Sequence, residues 1–130
     1  MGIGPSGRME KQPMLKQGTK HDQGKPRWEL LPLNFLRETV EVLTLGAKEH
    51  GDWNWQEVEN GEDRYYAALI RHLDAYRSGK DIDPQYGKHH LAHAMCNLIF
   101  MLFFAVQRRL KNKDKNVIEA LTEAFGGNSG

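Results

Sequence analysis

The chain has 130 residues, the size of one domain, and can bury roughly two-thirds of its unfolded surface. Eighteen Lys and Arg against seventeen Asp and Glu leave a net charge of +1, which excludes an overall polybasic nucleic-acid binder and an acidic tail protein. The single Cys96 excludes a disulfide framework within one chain and a multi-Cys zinc module, whereas six His, three of them in Lys88-His89-His90-Leu91-Ala92-His93, call for a role.

Residues 1–18 carry four Gly and two Pro and no apolar core, so they read as a flexible arm, in part vector-derived, and not as a signal peptide. One folded region is expected over 19–125 and a disordered tail over 126–130. The stretch from Lys20 to Trp28 is too dense in Lys, Asp, Gly and Arg for an inert linker. Within it Asp22 is a possible metal ligand, and Lys25 and Arg27 have the charge to hold phosphate.

Leu33, Leu36, Val40, Leu43 and Ala47 recur at helical spacing and predict a helix over 33–50, ended by Gly51. Gly46 inside it costs up to about 1 kcal/mol against Ala, and so is expected at a close contact. Glu38 and Glu41 lie one turn apart, half of an oxygen-rich site for Mg²⁺ or Mn²⁺; as a bland alternative Glu41 is solvated surface. Trp53-Asn54-Trp55 falls in a loop and offers stacking faces around an amide, a platform for a nucleobase, although at least one Trp is expected to cap the bundle instead.

A second helix is predicted over 62–78 with Tyr65, Leu69, His72 and Tyr76 on one face and Gly79 as its stop. His72 therefore points inward. Arg64 and Arg71 on the same helix have the fork geometry for phosphate, with plain surface charge as the alternative. Asp81-Ile82-Asp83-Pro84 reads as a turn.

A third helix is predicted over 85–111, broken at Lys113-Asp114-Lys115-Asn116, and a short fourth over 117–125. His90, His93 and Asn97 share one face of the third. Two imidazoles one turn apart bind a metal or flank a phosphate, or else form a hydrogen-bonded polar stripe. Asn97 interrupts an apolar segment, which suggests a polar cavity. The run Leu98–Val106 is far short of a membrane span and reads as a helix buried on most of its circumference, in part at a subunit interface. The fold expected is all-α: a small antiparallel bundle of about four helices, oligomeric.

Four ordered blocks carry a resemblance: Lys20–Pro32, Leu45–Trp55, Arg71–Ala75 and Asp83–Ala94. Over about residues 19–106 the chain resembles the phage dATP/dGTP diphosphohydrolase family (MazZ-type), which groups with the all-α, MazG-like nucleotide pyrophosphohydrolases. The resemblance implies hydrolysis of dGTP and dATP between the α- and β-phosphates, giving a monophosphate and pyrophosphate. It also implies a divalent metal, Mg²⁺ or Mn²⁺, a homodimer or homotetramer, and a place in phage nucleotide-pool remodelling in the host cytoplasm. Neither stable nucleic-acid binding nor a membrane is expected.

The wider superfamily uses ExxE on one helix and ExxD on a later one. The later motif falls near His90 and His93, where this chain has HxxH, and the earlier falls at Glu38–Glu41 or at His72–Ala75. Imidazole suits Mn²⁺ or softer metals better than Mg²⁺. The expected catalytic residues are Glu38, His90 and His93. The expected metal ligands are Glu38, Glu41, His72, Asp83, His90 and His93. Lys25, Lys48, Arg64 and Arg71 are expected to offset phosphate charge, and Asp22, Arg27, Trp53, Asn54, Trp55 and Asn97 to contact substrate. The competing readings are a non-enzymatic helical assembly module and an HD-type triphosphohydrolase, the latter weakened because the adjacent His21-Asp22 lies in the Gly-rich arm.

Overall fold

A computed structural model of the chain describes residues 17–125. The expected tail at 126–130 and most of the expected arm lie outside them. The chain resolves into two compact units, Met1–Leu31 and Pro32–Gly130.

The described part of the first unit is short and local. The Lys25 amide donates to the Asp22 carbonyl at 3.1 Å across a turn in which Gly24 takes a φ of +81°. A 3-10 turn follows at Trp28–Leu30, and Arg27 Nε pairs with the Glu29 carboxylate at 3.0 Å in solvent.

The second unit is helical. After a 3-10 turn at Leu33–Leu36 come α1 (Arg37–His50) and α2 (Gly61–Arg77). A minimal hairpin of β1 (Ile82–Asp83) and β2 (Lys88–His89) leads into α3 (His90–Phe125). The strands are antiparallel, with Ile82 opposite His89 and Asp83 opposite Lys88. The all-α expectation holds, with three α-helices among the described residues where about four were expected.

Local chemistry sets the boundaries. Gly51 at φ +101° ends α1, its amide reaching the Ala47 carbonyl at 2.7 Å. Gly79 at φ +92° ends α2 in a Schellman arrangement: Lys80 N–H donates to the Ala75 carbonyl and Gly79 N–H to that of Tyr76, both at 3.0 Å. At the start of α3, His89 Nδ1 accepts the Leu91 amide at 2.9 Å, an imidazole acting as a cap.

Two sequence expectations about α3 are corrected. The helix begins at His90, because the preceding residues form the hairpin. It also runs unbroken through Lys113–Asn116 into the segment expected as a fourth helix. That tetrapeptide contains neither Gly nor Pro, and charge alone does not break a helix.

The core lies where α2 packs extensively along α3 and α1 crosses α3 more lightly. Gly61 permits the closest approach: a Cβ there would lie 2.6 Å from the Phe104 ring. Trp55 stacks on Phe100 at 4.6 Å between centroids and meets Phe103 edge-on at 5.1 Å, while Tyr65 donates to the Trp55 carbonyl at 3.2 Å. Trp55 is thus the indole that caps the bundle.

On α1 the buried residues are Thr39 and Val42, whereas Val40 and Leu33 of the expected stripe are exposed. The helix is rotated so that Thr39 meets α3, its carbonyl accepting from Cys96 Sγ at 3.4 Å and its hydroxyl donating to Met95 Sδ at 3.4 Å. Gly46 has open space where a Cβ would stand, so the expected close contact is absent there. Within the single chain Leu98, Ile99 and Leu102 of the run expected to be buried on most of its circumference, in part at a subunit interface, are exposed. By length and composition alone α3 could cross a bilayer, a test that core helices of water-soluble bundles also pass. Its buried His90, His93 and Asn97 suit a bundle core.

Candidate functional site

The site begins with the β1–β2 hairpin. Asp83 Oδ1 accepts the Gln85 amide at 2.7 Å, an Asx turn, and Gly87 at φ +69° lets its amide close the loop on the Asp83 carbonyl at 3.0 Å. This leaves Asp83 Oδ2 free to face the helices. It lies 3.4 Å from His72 Nδ1 on α2 and 3.7 Å from His90 Nδ1 on α3.

His72 Nδ1 and His90 Nδ1 are themselves 2.9 Å apart. In that contact one Nδ1 carries the hydrogen and the other accepts it, according to the tautomers of the two rings. His93, one turn along α3, lies parallel to His72 with centroids 4.7 Å apart. His93 Nε2 is buried and has no hydrogen-bond partner among the described residues.

One ligand atom from each of His72, Asp83 and His93 falls within 4.8 Å of the others. Nitrogen and carboxylate donors so arranged, with one imidazole nitrogen unsatisfied, fit a divalent transition metal better than Mg²⁺, which prefers oxygen ligands. Burial holds the His72 side chain below the usual imidazole range, reinforced by His93 and opposed by Asp83. Burial likewise lowers His93, opposed by Asp83. Both shifts favour the neutral imidazole that ligates metal.

The cluster borders a cleft of about 1290 Å³ between α1, α2 and α3. Lys48, Arg64 and Arg71 line it, as do Trp53, Asn54 and Trp55, together with His72, His93 and Asn97. Trp53 holds a left-handed φ of +62° and is 68% exposed, so its indole is open to a ligand while that of Trp55 is packed in the core. Asn97 spends its amide on its own helix, Nδ2 donating to the His93 carbonyl at 2.9 Å.

The structure thus places nine expected site residues around the cleft and two more expected ones, Asp83 and His90, beside them. It does not bring Glu38 and Glu41 to the histidines. Glu38 Oε1 accepts the His89 amide at 3.4 Å and Glu41 pairs with Lys88 Nζ at 3.1 Å, so both carboxylates brace the hairpin. Asp22, Lys25 and Arg27 belong to the first unit. Tyr86 and Glu49 have no role in the sequence-based expectations, yet Tyr86 lines the cleft, stacks on His93 with centroids 5.8 Å apart, and donates to the Glu49 carboxylate. A Tyr between the Asp83 and His90 motifs was the available signal.

The second unit is thus all-α, with a His-rich, acid-completed cluster beside a basic, aromatic cleft. Residues 15–114 match the family described as dATP/dGTP diphosphohydrolase, N-terminal, and the chain belongs to that family. It is 34% identical over 98 residues to a dATP/dGTP diphosphohydrolase of Salmonella phage PMBT28, an overlap of 75% of this chain and 33% of that protein. The chain therefore spans about a third of the length of the curated relative it matches. No solved structure matches it significantly.

Proposed function

We propose that this chain hydrolyses purine deoxynucleoside triphosphates, dGTP and dATP, between the α- and β-phosphates, releasing the monophosphate and pyrophosphate. One observation carries the reading: Lys48, Arg64 and Arg71 share a single cleft with the His72–His93 pair and an exposed indole. A triphosphate brings about four negative charges to a chain whose net charge is +1, so its counter-charge must be local.

In this reading the Arg64 and Arg71 guanidinium groups grip phosphate oxygens and Lys48 offsets charge that builds up as the bridging oxygen departs. Trp53 stacks on the base. His72, Asp83 and His93 hold a divalent metal, with Mn²⁺ favoured over Mg²⁺. Bound there, it supplies Lewis-acid polarisation of phosphoryl oxygens and a more acidic water. His90, beside both His72 and Asp83, accepts the proton of the attacking water. Association into a dimer or tetramer covers the exposed Leu98, Ile99 and Leu102, and the work is done in a phage-infected host's cytoplasm, on free nucleotides.

The test is a chromatographic assay of dATP, dGTP, dCTP and dTTP with Mg²⁺ or Mn²⁺. Monophosphate and pyrophosphate from the purine substrates are expected. Nucleoside and triphosphate would instead mark an HD-type enzyme, and no product in any lane a binding module.

A further inference from the structure

We propose that Tyr86, anchored by Glu49, is a positioning residue that fixes the His93 imidazole in the orientation metal ligation requires. The inference rests on the metal reading of the cluster given above.

His93 is the ring shared by two parallel pairs: it lies at 13° to His72 and at 13° to Tyr86. The terminal torsion of a histidine is broad, so an unconstrained ring sweeps Nε2 through space at little cost. Flat neighbours parallel to the ring remove that freedom. This matters at His93 because its Nε2 is the buried nitrogen without a partner, held by no hydrogen bond of its own among the described residues.

Tyr86 can act as a fixed wall only if it is itself held. It stands in the β1–β2 loop, and its hydroxyl donates across 37 positions of sequence to Glu49 in the last turn of α1. A phenol is protonated at neutral pH, so the hydroxyl donates and the Glu49 carboxylate accepts. Donation to a carboxylate also enriches the phenol ring in electron density. An electron-rich face suits an imidazole that grows more positive as it binds a cation. The chain thus ties the end of α1 to the ligand on α3 through one aromatic ring.

Tyr86 also packs against the Val42, Ala92 and Cys96 core, so the test must separate positioning from stability. The full chain is titrated calorimetrically with MnCl₂ alone, and the visible ligand-field spectrum of the Co²⁺-loaded protein is recorded. Tyr86→Leu is expected to weaken Mn²⁺ binding about tenfold or more and to shift the Co²⁺ bands, as losing a ligand's support does elsewhere. Tyr86→Phe keeps the ring and is expected to restore most of the Co²⁺ spectrum, with Mn²⁺ affinity down only about two- to fivefold. Glu49→Gln should match Tyr86→Phe.

Wild-type Mn²⁺ affinity with an unshifted Co²⁺ spectrum in folded Tyr86→Leu overturns the proposal. If Tyr86→Leu does not fold, wild-type affinity in both Tyr86→Phe and Glu49→Gln overturns it. His93→Ala separates the two readings. Mn²⁺ binding lost in His93→Ala but intact in Tyr86→Leu rejects positioning alone; binding absent from the wild type, or intact in His93→Ala, rejects the metal site and positioning with it.

Discussion

The two halves of α3 are one unbroken helix in two environments. From His90 to Val106 one face packs against α1, α2 and the hairpin and carries the buried His90, His93, Cys96 and Asn97, while Leu98, Ile99 and Leu102 stay exposed. From Gln107 to Phe125 every residue is exposed. The second half keeps its helix on propensity: Lys, Arg, Glu, Leu and Ala make up most of it and no Gly or Pro intervenes. The first half departs from the ordinary rule for a helix core, placing two imidazoles and an amide where apolar side chains would serve stability better. Burying polar groups is costly unless they are satisfied, and that cost is concentrated in the segment facing the cleft.

The sharpest way to break this contrast is at the chemistry. His93→Ala and Asp83→Ala are expected to lower dGTP turnover by about a thousandfold or more, with circular dichroism unchanged. Full activity in either would remove the functional reason for a polar first half.

Two phenylalanines on the same helix test the packing difference. Phe100, stacked on Trp55 and tilted against Tyr65 at 4.8 Å, should cost about 3 kcal/mol as Phe100→Ala in denaturant unfolding. Cys96 gives a pH signature of burial. Its thiol is pushed up to about 12, by burial, from an ordinary 9.0. The folded chain therefore holds a proton that the unfolded chain releases. Stability is full below pH 9 and falls as pH rises towards 12, with a slope approaching about 1.4 kcal/mol per pH unit from this group. Cys96→Ala should flatten that alkaline decline relative to wild type. The smallest effect lies at the other end: Phe125 is 85% exposed, and Phe125→Ala should stay within about 0.5 kcal/mol of wild type. A large loss there would show that the distal half has a partner.

Much of this was legible from the chain. Apolar spacing marked the bodies of α1, α2 and α3, and Gly51 and Gly79 marked two ends, because each needs only nearby residues and a backbone that adopts positive φ. The inward direction of His72, His90 and His93 followed from their helical register. The continuity of α3 is not legible from the charge cluster at Lys113–Asn116, because charge without Gly or Pro does not break a helix.

The metal cluster was only half legible. Glu38 and Glu41 have the spacing of a carboxylate pair, but their direction depends on how α1 is rotated, and burial of Thr39 and Val42 turns them to Lys88 and the His89 amide. Spacing fixes which side chains share a face of one helix. It does not fix which faces of different helices meet, since that follows from the summed packing of residues distant in sequence. Hence the sequence alone determined an all-α chain with inward histidines, while tertiary packing decided that Asp83 completes them and that Tyr86 and Glu49, 37 residues apart, meet at His93.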